Sequence, residues 1–324
     1  MSNRPHVIQI LPMYYPKGEE VLNELAHVKK FEEFREDEII EYLKSHRVDG
    51  IILRAPARVT SAMIDAAKDL KAVSGAGIGL DNIDVEYATQ KGIKVLHAPK
   101  INSQATAEHT IGLIFSVMKN IVPFHEEMKK GNFGYRDGKF TYELKGKTLG
   151  LVGFGSIAQK VASMMKTSFD MDVLVYVRQI TEERHKIQEE LGYQFTTHIE
   201  DVFKHADVTS VHIPLSPHTK QLINKKHFDL MKPNAIFINT ARGGVVNQED
   251  LATVLKERKL MGAAVDVYDP EPPPYDHPYF GLDNIVMTPH IGGISEEAAR
   301  ETTETIARNL IKAILGEKVE TIVN

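Results

Sequence analysis

The stretch GLVGFGSIA, residues 150–158, decides the fold expected for this chain. It begins as an apolar run and continues with Gly153, Gly155 and Ala158 in the spacing GxGxxA. This spacing is typical of a turn that joins a buried strand to a helix and lets a pyrophosphate rest on the helix N-terminus. The alternative is a tight turn without a ligand, but the strand and helix patterns on either side favour dinucleotide binding.

The next apolar strand indicates which dinucleotide is bound. It reads VYVRQ over residues 175–179, so Val177 and Arg178 stand where NAD-dependent proteins carry an acid that bonds the ribose 2′-OH. Valine cannot bond the ribose, whereas arginine can pair with a 2′-phosphate in bidentate fashion. We therefore expect NADP(H) to be preferred, with NAD(H) possible. The alternative is that Arg178 faces solvent and the site accepts either cofactor.

Short β-branched runs alternate with amphipathic helical patterns along most of the chain, which predicts parallel sheets covered on both faces. The predicted strands are HVIQIL, VDGIILR, KAVSGA and IKVLHA, followed by KTLGLVG, DVLVYV, DVTSVHI, NAIFINT, MGAAVDV and NIVMT. Between the two series lies a long helical pattern that begins at Ser103, and Pro123 is expected to kink or end it. A last helix over residues 295–315 is expected to begin at Ser295 as its N-cap.

The predicted fold class is α/β, with two Rossmann-like, doubly wound parallel sheets and the active site in the interdomain cleft. Residues 1–102 plus 292–324 are predicted to form a flavodoxin-like substrate-binding domain. Residues 103–291 are predicted to form the dinucleotide-binding Rossmann domain.

Composition excludes several classes of function. The 324 residues carry a net charge of −5, so no overall basic field recruits nucleic acid. No apolar run is long enough to span a membrane. Cysteine is absent, which excludes disulfides and thiol nucleophiles, and the 14 histidines show no spacing typical of a metal site. The N-terminus reaches a strand at once and lacks a signal-peptide pattern, so a cytoplasmic location is expected.

Three later strands end in polar residues that together suggest a reaction. These strand ends read NTARGG with Arg242, DVYDPEP with Asp266 and Glu271, and TPHIGG with His290. The carboxyl ends of parallel strands share one edge of a sheet, where ligands bind. An arginine can clamp a carboxylate, and a histidine beside a carboxylate can give a proton to a carbonyl oxygen while hydride reaches the carbon. Taken singly, the residues have plainer interpretations as a salt bridge, a turn cap or a solvated charge, and Asp266 fits a cap or a contact with the nicotinamide amide.

With these motifs in place, the chain resembles the D-isomer-specific 2-hydroxyacid dehydrogenases. The resemblance covers about residues 70 to 295 in the family's order. The matching stretches are SGAGIGLDNIDVEYATQKGI, NSQATAEHTIGLI, ELKGKTLGLVGFGSIA, VHIPLSPHT, FINTARGGVVNQEDL, AAVDVYDPEP and TPHIGG.

The resemblance implies roles for individual residues. Arg242 would hold the substrate carboxylate and carbonyl, His290 would be the general acid in reduction, and Glu271 would be its partner. Substrate contacts would come from Arg54 and from the backbone at Ile78 and Gly79. The residues implied in cofactor binding are Thr106, Gly153, Gly155, Ser156, Ile157, Arg178, Pro214, Thr219, Thr240, Asp266 and Gly292. The long helix from Ser103 would serve a homodimer interface.

Departures from the family pattern bear on the substrate. Ala55 and Pro56 follow Arg54 where phosphoglycerate-type members often carry polar or basic residues, and the chain stops at Asn324 without their regulatory domain. Both points favour glyoxylate or hydroxypyruvate as the 2-oxo acid. The alternatives are an NAD-dependent D-3-phosphoglycerate dehydrogenase and, in another class, a dinucleotide-sensing corepressor-like binding protein.

Overall fold

The computed structural model describes residues 4–75 and 79–324. The chain divides into two compact units, residues 1–102 with 294–324 and residues 103–293. The elements of the first part of the chain are β1 (His6–Ile10), α1 (Pro16–Leu25), β2 (His27–Phe31), α2 (Glu36–Ser45), β3 (Gly50–Leu53), α3 (Ser61–Ala66), β4 (Ala72–Gly75), α4 (Val85–Gln90) and β5 (Lys94–Leu96). Those of the remainder are α5 (Ser103–Met118), α6 (Ile121–Lys129), β6 (Thr148–Val152), α7 (Ser156–Phe169), β7 (Asp172–Tyr176), α8 (Glu182–Leu191), β8 (Gln194–Thr196), α9 (Ile199–His205), β9 (Val208–Val211), α10 (Lys225–Phe228), β10 (Ile236–Asn239), α11 (Gln248–Lys256), β11 (Gly262–Val265), β12 (Ile285–Met287) and α12 (Glu296–Ile314).

The first unit is built on a parallel sheet in the order β2-β1-β3-β4-β5. The inner strands β1 and β3 are buried on both faces, which explains why they consist mostly of isoleucine, leucine and valine. The chain leaves β1 towards β2 and then crosses to β3, so the order reverses between β1 and β3. This order is that of flavodoxin-like sheets.

The sequence prediction missed strand β2 because it does not look like a buried strand. It reads HVKKF, pairs with β1 only, and is partly exposed along most of its length. Charged side chains are common on sheet edges, where lysine opposes pairing with another chain. An edge strand of this kind carries little of the apolar signal that predicts a core strand.

The last helix, α12, packs against α1 in the first unit, so that unit is discontinuous in sequence. The two helices approach closely at Gly18, where a Cβ atom would lie 2.5 Å from Cβ of Thr303. Ser295 is the N-cap of α12, because its side chain accepts a hydrogen bond from the amide of Ala298 at 3.1 Å. The expected start of this helix is confirmed.

The second unit contains a seven-stranded parallel sheet in the order β12-β11-β10-β9-β6-β7-β8. The chain runs outwards from β6 to β7 and β8, then returns to β9 and continues the other way. Strand order therefore reverses between β6 and β9, the point at which open α/β sheets bind ligands beyond the carboxyl ends of their strands. The sequence missed β8, a three-residue edge strand, but the other six strands lie where they were predicted.

The long helical pattern after residue 103 is two helices rather than one. Helix α5 ends at Met118, and Asn120 adopts a left-handed conformation with φ of 50° before α6 begins. The expectation that Pro123 kinks or ends the helix is wrong, because α5 already ends at Met118 and Pro123 lies in the first turn of α6. A proline is tolerated there since the amides of a first helical turn have no partner within the helix.

Within residues 4–75 and 79–324, no helix combines the length and the apolar character needed to cross a membrane.

Candidate active site

The turn after β6 has the backbone geometry of a phosphate cradle. Gly153 has φ of +101°, and a Cβ atom there would lie 2.6 Å from the carbonyl oxygen of His212, so only glycine fits. Gly155 is the N-cap of α7 and is exposed, and a Cβ atom there would meet no atom within 4 Å. The amides that open α7, those of Ser156 and Ile157, have no partner within the helix. Gly155 therefore leaves room for a pyrophosphate to lie against the N–H groups at the start of α7.

The end of β7 offers a positive charge and no acid. Val177 is buried and its amide donates to the carbonyl of Thr196 at 2.9 Å, so this residue continues the sheet. Arg178 is exposed and makes no hydrogen bond or ion pair with the part of the chain that the structure describes. Arg184 lies on the following helix, whose N-cap Thr181 accepts from the Arg184 amide at 3.4 Å. Two guanidinium groups thus belong to the segment that follows β7.

The loop after β9 crosses the switch point of the sheet. His212 is half-buried beneath the glycine-rich turn, and its Nε2 lies 2.9 Å from the hydroxyl of Ser210. Burial lowers the pKa of His212 to about 4. Further along, the hydroxyl of Thr219 donates to the carbonyl of Pro214 at 2.7 Å and accepts from the amide of Ser216 at 2.7 Å. The side chain of Thr219 is therefore used within the loop, so the loop would contact a dinucleotide through its backbone groups.

Two more threonines expected near the cofactor are buried and joined by a third. Thr106 and Thr240 are both less than a tenth exposed. Thr110 donates its hydroxyl proton to the carbonyl of Thr106 at 2.8 Å, and therefore accepts that of Thr240 at 2.9 Å. These bonds fix the start of α5 against the end of β10.

Arg242 is held at the end of β10 by its own turn. The side chain of Asn239, which is 2% exposed, accepts from the amide of Ala241 at 3.0 Å and donates to the carbonyl of Arg242 at 3.0 Å. The next residue, Gly243, lies against the backbone of Tyr268, where a Cβ atom would stand 2.0 Å from the carbonyl carbon. Only glycine allows the arginine turn to approach the loop after β11 so closely. The sequence reasoning missed Asn239, although a polar residue inside the run IFIN was a visible signal.

The carboxylate of Asp266 joins the loop after β12 to the end of β11. It accepts from the hydroxyl of Thr288 at 2.6 Å and from the amides of Ile291 at 2.9 Å and Gly292 at 2.8 Å. A Cβ atom on Gly292 would lie 2.9 Å from Oδ2 of Asp266, so this glycine is required for the approach.

The environment of Asp266 keeps it charged although it is 1% exposed. Burial by itself would raise the pKa of its carboxyl group, but four hydrogen bonds outweigh that effect and hold the pKa below its ordinary value. The fourth of these bonds comes from Nε2 of His109, which lies 3.4 Å from Oδ1. A carboxylate engaged on both oxygens is first of all a support for the loop that carries His290. The sequence did not single out His109.

His290 and Glu271 meet at the carboxyl edge of the sheet. Nδ1 of His290 lies 2.7 Å from Oε2 of Glu271, and the two side chains are 43% and 32% exposed. His290 has φ of 54°, an uncommon conformation for a residue other than glycine. Asp266 bonds residues on both sides of His290, and these bonds hold His290 in this conformation. The predicted pairing of His290 with Glu271 is present.

Tyr268 bonds both Glu271 and the loop that carries His290. Its amide donates to Oε1 of Glu271 at 3.0 Å, and its hydroxyl donates to the carbonyl of Thr288 at 3.0 Å. The ring is buried, and this burial, with the nearby charges of Asp266 and Glu271, raises the pKa of Tyr268 to about 12. The phenol therefore remains a hydrogen-bond donor at any pH at which the protein is handled.

The sheet register brings these residues to one edge. Asn239, Val265 and Met287 are aligned as the last residues of β10, β11 and β12. Arg242 and His290 each follow three residues later on strands that are separated only by β11. Because neighbouring strands lie about 4.8 Å apart, a guanidinium, a carboxylate and an imidazole reach one side of the sheet.

The substrate residues implied by the resemblance lie in the first unit. Arg54 follows β3 beside that unit's switch point, donates to the carbonyls of Pro12 and Ala55, and lies with its guanidinium 4.9 Å from the ring centre of Tyr14. Gly79 is half-buried shortly after β4. Ile78 lies outside the described residues.

Among residues 4–75 and 79–324, no group of three or more histidine, aspartate or glutamate side chains is arranged to hold a metal ion.

Comparisons with known proteins agree with this geometry. Residues 111–292 match the model of the D-isomer specific 2-hydroxyacid dehydrogenase NAD binding domain. A D-3-phosphoglycerate dehydrogenase of Methanocaldococcus jannaschii is 38% identical over 304 residues, which cover 94% of this chain but only 56% of that longer relative. A glyoxylate reductase of Pyrococcus furiosus is 37% identical over 316 residues, which cover 95% of this chain and 92% of the relative.

A solved structure of an acyclic imino acid reductase in complex with NADPH and D-Arg is also similar. It is 30% identical, with a TM-score of 0.85, and the match covers 98% of this chain and 100% of that one. The chain belongs to the D-isomer specific 2-hydroxyacid dehydrogenase family. It is a nicotinamide-dinucleotide-dependent oxidoreductase, and the expected fold of two parallel α/β sheets is confirmed.

Proposed function

We propose that this chain reduces a small, unphosphorylated 2-oxo acid, glyoxylate or hydroxypyruvate, with NADPH as the preferred hydride donor. The observation that carries the proposal is the contact between His290 and Glu271 at the same sheet edge as Arg242. Imidazole, carboxylate and guanidinium supply an acid, a support for that acid and a clamp for the substrate carboxylate. The similarity to a glyoxylate reductase supports this choice of substrate.

The side chains divide the work of the reaction. The bound nicotinamide supplies the hydride that reaches the carbonyl carbon. Arg242 holds the carboxylate and polarises the carbonyl oxygen, on which negative charge develops. Glu271 accepts a hydrogen bond from Nδ1–H of His290, so Nε2 is the atom that gives its proton to that oxygen. The product is the 2-hydroxy acid, and the imidazole is left neutral with its proton on Nδ1.

The residues of the glycine-rich turn would hold the dinucleotide. The N–H groups of Gly155, Ser156 and Ile157 would meet the pyrophosphate at the positive end of the α7 dipole. Asp266 would approach the nicotinamide, with Gly292 and the buried threonines around it. Arg54 and the backbone near Gly79 would contact the substrate from the first unit.

The preference for NADPH rests on the end of β7. Arg178 is exposed there, and the buried Val177 has no group that could bond a ribose hydroxyl. The similar imino acid reductase was solved with NADPH, which supports the same choice. An NAD-linked phosphoglycerate dehydrogenase is the second candidate, because a relative of that name is 38% identical.

The test is the absorbance of the reduced nicotinamide, with NADPH and NADH each run against glyoxylate, hydroxypyruvate, 3-phosphohydroxypyruvate and pyruvate. We expect NADPH oxidation by the unphosphorylated acids. Loss of a charge-assisted bond to phosphate in Arg178→Gln is expected to weaken NADPH binding about tenfold and leave NADH binding unchanged. The exposed Lys204→Gln is the matched control. Turnover mainly of NADH with the phosphorylated acid would reject both the substrate and the role of Arg178.

We also propose that the chain forms a homodimer through the region around α6. Helix α5 is largely buried within its own unit, whereas α6 has no buried residue. The exposed apolar side chains of this region are Ile121, Val122, Met128, Phe133 and Phe140. Light scattering would give the mass of a dimer, and Phe140→Ser combined with Met128→Ser should shift it towards the monomer; a wild-type monomer at all concentrations would reject the proposal.

A further inference from the structure

The turn that carries Glu271 is bound by a side chain from another element. Gln248, the first residue of α11, donates from Nε2 to the carbonyl of Asp269 at 2.6 Å. The amide of the same Asp269 donates back to Oε1 of Gln248 at 3.3 Å. One side-chain amide thus holds both backbone groups of the residue that lies two positions before Glu271.

His277 completes this contact from the far side of the loop. Its Nε2 lies 3.2 Å from Oε1 of Gln248, and its Nδ1 lies 3.4 Å from the amide of Tyr279. An amide oxygen can only accept and a backbone amide can only donate, so Nε2 carries the proton and Nδ1 does not. His277 is 4% exposed and its ring packs edge-on against Tyr268, with centroids 5.6 Å apart.

The protonation state agrees with this geometry. Burial lowers the pKa of His277, against the opposing charges of Glu249 and Asp276. The neutral ring that the two hydrogen bonds require is therefore the form favoured by its surroundings.

The carboxylate of Glu271 has little else to fix it. Its side chain is 32% exposed, and its partners are the amide of Tyr268 and the ring of His290. The position of the carboxylate consequently depends on the backbone of residues 268–271, and Asp269 is the residue of that turn that Gln248 binds. We propose that Gln248 and His277 form a clasp that positions Glu271 against His290.

The clasp, defined as the side chains of Gln248 and His277, acts through Glu271 and does not touch the substrate. This role rests on the proposed function, because positioning Glu271 matters for the reaction only if the pair of Glu271 and His290 transfers a proton. Without the clasp the turn gains freedom, and the fraction of molecules with Nε2 of His290 correctly aimed falls. Small losses of orientation reduce rates strongly, so kcat should fall while dinucleotide binding stays.

The experiment is a double-mutant cycle on the full-length protein. Gln248→Ala and His277→Ala are each made alone and in the Glu271→Gln background, with the exposed Gln194→Ala as control. We expect each clasp variant to lower kcat about tenfold in the wild-type background and by less than about twofold in the Glu271→Gln background. The dissociation constant for NADPH should change by less than about twofold in all variants.

A second variant separates hydrogen bonding from folding. Gln248→Met keeps the side-chain volume but removes all three hydrogen bonds of that side chain, so it should lose as much kcat as Gln248→Ala while remaining folded. Equal losses of kcat in both backgrounds, or an unchanged kcat in Gln248→Met, would overturn the clasp and leave the proposed function intact. Full activity of Glu271→Gln itself would overturn the proposed function, and the clasp with it.

Discussion

Nδ1 of His290 lies 2.7 Å from Oε2 of Glu271, and the other oxygen of that carboxylate accepts the amide of Tyr268 at 3.0 Å. A carboxylate that already accepts a backbone amide can only accept again, so the proton of this contact belongs to Nδ1. The contact therefore leaves Nε2 as the ring nitrogen that the proposed reaction would use.

Replacement of His290 by glutamine should remove the acid and leave the cradle intact. We expect kcat to fall by about 10²-fold or more, the usual contribution of a positioned general acid. NADPH binding, followed by nucleotide fluorescence, should change by less than about threefold. His218, an exposed histidine, provides the control His218→Gln. A variant as active as the wild type would remove His290 from the mechanism.

Asp266→Asn should damage both stability and chemistry. An asparagine has one acceptor oxygen, so at least one of the amides of Ile291 and Gly292 would lose its partner. An unpaired buried group costs about 1–3 kcal/mol in the free energy of unfolding, measurable with urea. kcat should fall as well, because the backbone around His290 is released.

The depressed pKa of Asp266 also predicts a dependence of stability on pH. Its folded pKa lies below the ordinary value of 3.8, so the carboxylate contributes stability above that value, and the contribution is lost as pH falls through the folded pKa. The Asp266→Asn protein should therefore lose less stability than the wild type on acidification below about pH 4. Parallel pH profiles of the two proteins would contradict this role.

Gly155→Ala should separate folding from cofactor binding. A methyl group there meets no protein atom within 4 Å, and the backbone φ of −79° suits alanine. We expect an unchanged unfolding midpoint but NADPH binding weakened about tenfold or more, because the methyl group fills the phosphate volume. Gly112 in α5 is an equally open position inside a helix. The control Gly112→Ala should therefore raise the free energy of unfolding by about 0.5–1 kcal/mol. Undiminished NADPH binding by Gly155→Ala would argue against the cradle.

His212 predicts a loss of stability in mild acid. Its folded pKa is about 4, below the ordinary 6.5, so between these values the unfolded chain binds a proton that the folded chain does not. The contribution is present above about pH 6.5 and lost towards pH 4, with a size on the order of 3 kcal/mol. Urea unfolding of His212→Gln should show a flatter pH profile over this range than that of the wild type or of His218→Gln. Coincident profiles would contradict the prediction.

Gly243→Ala tests the approach of the arginine turn to the loop after β11. The added Cβ would stand 2.0 Å from the carbonyl carbon of Tyr268, a distance that requires one backbone segment to move. Overpacking of this kind costs about 1–3 kcal/mol or more. The displacement should also lower kcat, since it moves Arg242 relative to Glu271. A Gly243→Ala protein with wild-type stability and turnover would show that the two turns do not depend on each other.

The strands and the candidate site residues could be read from the sequence where one local signal was sufficient. Buried parallel strands such as β10, with its run IFIN, carry apolar β-branched residues because both faces are covered. Arg242, Glu271 and His290 were visible as polar residues three to six positions after such runs. The lysine-bearing β2 and the short β8 were missed because edge strands need neither feature.

The supporting residues could not be predicted in the same way. Gln248 and Asp269 are 21 positions apart, and Gln248 and His277 are 29 apart, so only the folded sheet brings them together. Tyr268 and His109 likewise act through hydrogen bonds to residues on other loops, for which the residue type alone gives no signal. The break between α5 and α6 was predicted at Pro123 but lies at Asn120, which adopts a left-handed conformation.

The strand order of the larger sheet has a consequence for engineering and for evolution. Strands β6 and β9 lie between β7, which leads to Arg178, and β10, which leads to Arg242. Three interstrand spacings amount to about 14 Å, beyond the range over which substitutions usually interact. Under the proposed role of Arg178, changes at the end of β7 should therefore alter the choice between NADPH and NADH without changing the residues proposed for proton transfer. A lineage could then change the dinucleotide that drives the proposed reaction by substitutions confined to this one loop.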